Sequence, residues 1–156
     1  MLIFKALHIL TMFAAISVLV GEGTFAALAI WRGDVHALAA TRRLFGRRPV
    51  VGAALFLLGI GFGLVTVATG GFNFLAGWLI AAYVMAAASI AINLLPVVQK
   101  GYLPLVDKSV EAEAGQRPVD EVAREMRALR SSFLYVVVAT WVLFGLIILD
   151  MVLKPF

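Results

Sequence analysis

The chain has no cysteine and few charged residues. The absence of cysteine among its 156 residues excludes disulfides, thiolate metal sites and iron–sulfur clusters. Only 14% of the residues are charged, whereas about a quarter are charged in an average soluble domain. The sequence also lacks a phosphate-binding glycine loop, a paired-histidine metal motif and a serine nucleophile elbow. None of the familiar sites of soluble enzymes is therefore predicted.

Apolar sequence dominates the chain instead. Hydrophobic residues make up 63% of it, and the mean hydropathy is +1.02. Because about 20 apolar residues cross about 30 Å of bilayer hydrocarbon, the continuous apolar runs predict transmembrane helices over about 3–31, 49–69, 73–97 and 131–153. The runs do not alternate, which argues against strands. We predict an all-α fold, an integral membrane antiparallel four-helix bundle that forms one domain over residues 1–156.

Lysine and arginine are concentrated in two loops. Residues 32–48 contain five of them and residues 98–130 contain six, out of 13 in the chain. The positive-inside rule therefore predicts that both loops lie in the cytoplasm and that both termini lie outside. Basic residues that flank membrane spans account for the net charge of +4, so the lipid bilayer is the expected partner and nucleic acid is not.

The two basic segments are expected to contain cytoplasmic helical extensions. Residues 33–48 are predicted to be partly helical, Pro96 and Pro104 to interrupt the end of the third span, and Glu111–Gly115 to form a turn. One helix is predicted from about 118 to 153, because apolar residues recur there at helical spacing: Val122, Met126, Leu129 and Phe133. Its amphipathic part either packs on the extension of span three or grips a partner or headgroups.

Small residues in the second and third spans predict close helix packing. In a bilayer, small side chains let two backbones approach where lipid gives no hydrophobic drive for association. Three pairs have the required spacing of four residues: Gly59 with Gly63, Ala82 with Ala86, and Ala87 with Ala91.

One carboxylate lies inside the first apolar run. A charged side chain at the bilayer centre costs about 2.5–3.5 kcal/mol or more, so Glu22 is predicted to have a function. The alternative is a protonated, hydrogen-bonded acid in the bundle interior. Glu22 shares one helical stripe of span one with Lys5, His8, Met12, Ala15 and Leu19. At about 1.5 Å per residue, His8 is about 21 Å from Glu22 along the helix. Asp150 and Lys154, four residues apart on span four, are expected near the outer surface, either as a simple interfacial pair or as functional groups.

Short motifs along the chain resemble a known superfamily. Phe4-Lys5-Ala6-Leu7-His8-Ile9 resembles the opening of the small four-helix, haem-b protoporphyrinogen oxidases (HemJ type), and also resembles the copper-resistance D group and uncharacterised bacterial four-helix membrane proteins. Three further anchors agree in order: Pro49, Gly77-Trp78-Leu79 and Met151-Val152-Leu153-Lys154-Pro155. The last motif is especially similar to the uncharacterised set.

The resemblance implies a bacterial inner-membrane protein, with both termini in the periplasm, and a haem b site. In the oxidases, a histidine of span one and a lysine after the Gly-Trp-Leu motif are the axial ligands. His8 matches the first ligand, and Lys5 would then lie near a propionate, with Trp78 and Tyr83 lining the pocket. Ile80-Ala81-Ala82 stands where the lysine is expected, so the enzymatic activity is left open and no catalytic residue is assigned. Met12, Met85 or an external ligand are alternatives for the second position.

Three functions remain open from the sequence. The first is a haem- or porphyrin-associated membrane protein with His8 as the metal ligand. The second is a non-catalytic accessory subunit of a larger membrane complex or of a homo-oligomer. The third is a small proton-coupled transporter that uses Glu22, whose place in the first of four helices resembles that in the small multidrug transporters.

Overall fold

The computed structural model describes residues 2–46 and 50–153, and nearly all of them are helical. In chain order the elements are α1 (Leu2–Arg32), α2 (Val35–Phe45), α3 (Val50–Gly70), α4 (Gly77–Asn93), a π-helical segment (Val97–Tyr102), α5 (Leu103–Glu113) and α6 (Val119–Leu153). The predicted all-α fold is confirmed for this part of the chain. Arg47, Arg48, Pro49 and Lys154, which entered the sequence predictions, lie outside the described residues.

Four stretches of the described chain are long and apolar enough to cross a membrane. They are Leu2–Arg32, Val50–Gly70, Gly77–Glu113 and Val119–Leu153, and they overlap the four predicted apolar runs. The last helix begins just after Pro118, as the sequence predicted, and the Glu121 N–H donates to the Pro118 carbonyl at 3.2 Å. It continues to Leu153 without a break, so one helix carries both polar and apolar sequence.

The third apolar stretch differs from its predicted bounds of 73–97. α4 begins only at Gly77, because the Asn73 carboxamide oxygen accepts the Leu75 N–H at 2.9 Å and holds the preceding residues in a turn. α4 ends at Asn93, before Pro96, which has no N–H to continue a helix. The chain then resumes as the π-helical segment and α5, where Pro104 occupies an early position that tolerates proline.

The polar segments that connect the apolar helices are also largely helical. α2 confirms the expected helix in residues 33–48, and Asp34 caps it by accepting the Ala37 N–H at 2.9 Å. The turn predicted at Glu111–Gly115 starts later, because α5 continues to Glu113. Gly115 has a φ of 73°, a conformation that favours glycine, and it lies in the turn that leads to α6.

α1 and α3 pack closely through glycine, as predicted for Gly59 and Gly63. A Cβ at Gly59 would lie 2.5 Å from the Met12 sulfur, and one at Gly63 would lie 2.9 Å from Nδ1 of His8. Further along, the side chain of Leu19 occupies the space over Gly52. Because residue numbers rise along α1 as they fall along α3, the two helices run in opposite directions.

α6 packs against both α1 and α4. Val137 of α6 contacts Gly23, and the rings of Phe144 and Phe56 (α3) have centroids 5.9 Å apart. A small apolar cluster, to which α4 adds partly buried residues, joins these helices: Ala15, Phe56, Phe144 and Ile147. On α4, Ala82 is buried, whereas Ala87 and Ala91 are exposed, so the predicted close packing is seen at the first position and not at the other two.

The second cluster lies at the polar end of the molecule. We call α2, α5 and residues 119–130 of α6 the charged end. The amphipathic start of α6 packs there, on α5 and α2, as one of the two predicted alternatives expected. Its core is made of apolar side chains from all three elements: Val35, Leu38, Leu105, Val106, Ala112, Val122 and Met126.

Ion pairs surround this core. Arg42 and Arg43 of α2 pair with Asp107 and Glu113 of α5, so two successive arginines join the same two helices. Further pairs join α5 to α6 and close the turn between them: Lys108 with Glu125, and Arg117 with Glu111 and Glu121. Hydrogen bonds from Arg117 to its two carboxylates raise the pKa of the Arg117 guanidinium.

Candidate functional site

Glu22 is the buried carboxylate of α1. Its residue is only 9% exposed, and it lies three residues after Leu19, which packs over Gly52 of α3. The phenol of Tyr102 donates a hydrogen bond to Oε1 of Glu22 at 3.4 Å, which is long for a bond between two oxygens. No cation pairs with Glu22 among the described residues. The carboxylate is therefore held by one weak donor in an otherwise apolar setting.

Tyr102 reaches Glu22 because it ends the π-helical segment. That segment follows the break after α4, and the Gln99 carboxamide bridges the break by donating to the Asn93 carbonyl at 2.8 Å. The ring of Tyr102 stacks on Phe133 of α6, with centroids 4.5 Å apart and planes at 23°. π-Helical turns occur mostly as short insertions, frequently at functional sites. Here the turn places a buried hydroxyl beside a buried carboxylate.

A cavity of about 300 Å³ opens beside this pair. We call it the Glu22 cavity. Its polar side chains are those of Glu22, Asn93, Gln99, Tyr102 and Thr140. The rest of the wall is apolar or aromatic and comes from α1, α3, the π-helical segment, the start of α5 and α6: Leu19, Gly23, Val50, Ala53, Val98, Leu103, Phe133, Val136, Val137, Trp141 and Phe144.

The chemistry of the Glu22 cavity suits a cation with an apolar body. A carboxylate supplies one negative charge, and aromatic faces attract cations within about 6 Å of a ring centroid. Phe133, Phe144 and Trp141 supply such faces in the cavity wall. Pockets for small molecules are mostly apolar, with a few polar groups that fix orientation, and they begin at about 300 Å³. The Glu22 cavity has both properties.

His8 lies elsewhere, in the contact between α1 and α3. Its Nδ1 is 2.6 Å from the carbonyl oxygen of Gly59, so the ring donates this N–H across the helix interface. The imidazole is half-buried, and Lys5, one turn earlier, is exposed. The predicted stripe is thus divided: His8, Met12 and Leu19 face the glycines of α3, and Glu22 faces Tyr102.

The residues predicted for haem lie on two helices, α1 and α4. Trp78 and Tyr83 lie on α4, which packs on α6, and the Trp78 ring meets Phe72 edge-on at 6.2 Å. The Glu22 cavity is lined by neither of them, nor by His8 or Lys5. An imidazole whose Nδ1 donates to a backbone carbonyl is oriented as metal-bound histidines are. Haem binding by this set of residues stays a prediction from the resemblance.

Asp150, the last of the predicted residues, and the second histidine, His36, lie at the molecular periphery. Asp150 is half-buried near the end of α6, and its Oδ2 has no hydrogen-bond partner among the described residues. His36 is exposed and lies 3.7 Å from Glu113, at the charged end. Residues 2–46 and 50–153 contain no group of three or more His, Asp or Glu side chains that could hold a metal ion.

Sequence reasoning found Glu22 but missed its partners. Tyr102, Gln99 and Asn93 come together only because the chain breaks after α4 and resumes as a π-helix. The sequence does contain an indication of this site: three polar side chains are spaced through the end of an apolar run, next to Pro96. Comparison with family models, curated proteins and solved structures found no match to this chain.

Proposed function

We propose that the protein is a small multi-pass protein of the bacterial inner membrane that exchanges a proton for an apolar organic cation at Glu22. The observation that carries this proposal is the Glu22 cavity itself, in which a buried carboxylate lies among aromatic side chains and has no paired cation within the described part of the chain. An aromatic or aliphatic amine, or a quaternary ammonium ion, is the class of solute that such a wall binds.

The exchange follows from charge balance. In an apolar cavity a carboxylate is costly unless it carries a proton or faces a cation. When a monovalent cation enters, the proton leaves Glu22, and the cavity stays neutral in both states. Tyr102 can donate to the carboxylate in the cation-bound state and keeps it aimed into the cavity.

We place the four apolar helices across the membrane as an antiparallel bundle, with the charged end in the cytoplasm and both termini in the periplasm. The support for this orientation is the concentration of lysine and arginine in residues 32–48 and 98–130. Val50, Asn93 and Leu103, which lie where the apolar helices meet the charged end, line the Glu22 cavity, so its opening is on the cytoplasmic side.

Binding tests the proposal most directly. Benzyltrimethylammonium combines one aromatic ring with a fixed positive charge and has an uncharged isostere, neopentylbenzene. Added to detergent-purified protein in unbuffered solution, benzyltrimethylammonium should release a proton for each cation bound, measured by a pH electrode and calorimetry. Neopentylbenzene should release none.

The variant Glu22→Gln removes the exchangeable proton and nearly nothing else. It should abolish proton release and uptake of labelled benzyltrimethylammonium into proteoliposomes driven by a pH gradient. Asp120→Asn, which neutralises an exposed carboxylate at the start of α6, is the matched control and should leave both unchanged. Uptake by Glu22→Gln at the rate of the unmodified protein would refute the proposed exchange.

A further inference from the structure

A second cavity, of about 280 Å³, lies on the outside of the charged end, between α5 and α6. We call it the Lys100 groove. Its wall combines two lysines and one glutamate with apolar side chains: Lys100, Lys108, Glu125, Pro104, Ala128 and Leu129. The groove and the Glu22 cavity have no lining residue in common, although each includes residues of the π-helical segment. The inference drawn from the groove does not depend on the proposed exchange.

The groove carries an uncompensated positive charge. Nζ of Lys108 is 2.7 Å from both carboxylate oxygens of Glu125, so this pair neutralises itself. Lys100 is exposed and has no ion-pair partner in the described part of the chain. Arg124 is also exposed and unpaired there, and it lies one turn before Ala128 on α6, beside the groove. Lys100 and Arg124, the two side chains at the opening of the groove without an ion-pair partner among the described residues, are therefore both basic.

The depth of the groove matches a lipid headgroup. Ala128 lies five residues before Phe133, where the apolar part of α6 begins, which is about 7.5 Å along the helix. The headgroup region adds about 5–8 Å to each side of the hydrocarbon. A phosphate bound by Lys100 would thus be level with the phosphates of the surrounding bilayer.

Exposed apolar side chains continue from the groove toward the hydrocarbon. Leu94 is 66% exposed just before the π-helical segment, and Tyr135 is 77% exposed two turns after Ala128 on the same face of α6. An acyl chain can lie along these side chains while its headgroup occupies the basic mouth. A free phosphate ion would gain nothing from this apolar track.

We infer that the Lys100 groove binds the headgroup of an anionic phospholipid, with Lys100 as the phosphate contact and Arg124 beside it. Basic pockets between membrane helices on the cytoplasmic side are known to hold such headgroups. A site made of these two basic side chains selects for a negatively charged headgroup rather than merely attracting the anionic membrane surface.

The experiment measures bound lipid on the intact chain. Delipidated protein in detergent is mixed with dioleoylphosphatidylglycerol or with dioleoylphosphatidylcholine, and bound lipid is counted by native mass spectrometry. The protein should prefer phosphatidylglycerol, and Lys100→Gln should weaken its binding about fivefold, as expected from about 1 kcal/mol per basic residue. Arg32→Gln, which removes an exposed charge at the end of α1, should retain the preference.

Other outcomes overturn the inference. Equal losses in Lys100→Gln and Arg32→Gln would mean that the lipid responds to net charge and not to the groove. Displacement of bound lipid by inorganic phosphate at equal concentration would mean that the site takes a free anion. If Lys100→Gln is poorly folded, Lys100→Arg and Arg124→Gln decide the matter: the first must keep the preference and the second must weaken it.

Discussion

The two ends of this molecule are stabilised by different means, although α6 runs through both. In the apolar helices, close contact depends on the absence of side chains: because Gly59 and Gly63 have none, Met12 and His8 can lie against α3. At the charged end, contact depends on what is present, since a core around Val122 and Met126 is enclosed by ion pairs, as in a small soluble domain. The comparison shows that a single helix, α6, takes part in both kinds of packing at different positions along its length.

The largest expected effect is in the core of the charged end. Met126 is 0% exposed, and Met126→Ala should lower the free energy of unfolding of this end by about 2–5 kcal/mol, because it leaves a cavity. Limited proteolysis at residues 114–118 should speed up, while the apolar helices remain protected by detergent. Arg127→Ala, an exposed neighbour, is the control. Equal protection in both variants would contradict a tightly packed core around Met126.

The glycine contact should be almost as sensitive. In Gly59→Ala the new Cβ would lie 2.5 Å from the Met12 sulfur and 3.3 Å from Oγ1 of Thr11, so overpacking should cost about 1–3 kcal/mol. The measurement is the thermal midpoint in detergent by size-exclusion chromatography. Gly61→Ala, whose Cβ would meet nothing within 4 Å, should not lower the midpoint. If Gly61→Ala were the more damaging change, α3 would face α1 differently.

Tyr102 lies where the apolar helices meet the charged end, so a change at this residue tests how the two ends act together. Tyr102→Phe keeps the stacking on Phe133 but removes the hydroxyl that donates to Glu22. Losing a hydrogen bond of about 0.5–1.5 kcal/mol should weaken benzyltrimethylammonium binding about two- to tenfold. Calorimetry at constant pH measures this change. Unaltered affinity, with Glu22→Gln inactive, would show that the carboxylate works without its donor.

The smallest effect is expected for a surface ion pair. Arg43 is largely exposed and pairs with Glu113 at 3.0 Å. Pairs of this kind contribute about 0–1 kcal/mol and are screened by salt, so Arg43→Gln should change protease resistance only slightly, and not at all in about 1 M salt. A large, salt-insensitive loss would mean that Arg43 has a role beyond this pair.

The sequence predicted well wherever a pattern is local. Apolar runs and the spacing of Val122, Met126 and Phe133 identified α6 and its buried face, and Gly59 with Gly63 identified a close helix contact, although not its partner α1. These predictions held because helix periodicity and side-chain size act over neighbouring residues. The break after Asn93 was anticipated from Pro96, but not its consequence.

The candidate site was predictable only in part, because its members are far apart in sequence. Glu22 could be identified by its cost in an apolar run, whereas Tyr102 reaches it only through a π-helical turn that no periodicity indicates. His8, prominent in the sequence through its motif, turned out to donate to the Gly59 carbonyl in a helix contact. Whether haem binds this chain stays a prediction from resemblance.

The stack of Arg130 on Trp31 has a consequence for membranes of different thickness. The guanidinium carbon lies 3.2 Å from the centroid of the indole, which joins the end of α1 to α6 at the level where apolar sequence begins. Tryptophan prefers the headgroup level, and the apolar part of α6, residues 133–153, is about 30 Å long, which is close to the hydrocarbon thickness. In the proposed membrane placement the pair lies at the headgroup level, so the protein should answer a thinner bilayer by tilting its helices, and a thicker one by thinning the surrounding lipid rather than by drawing its charged end into the hydrocarbon.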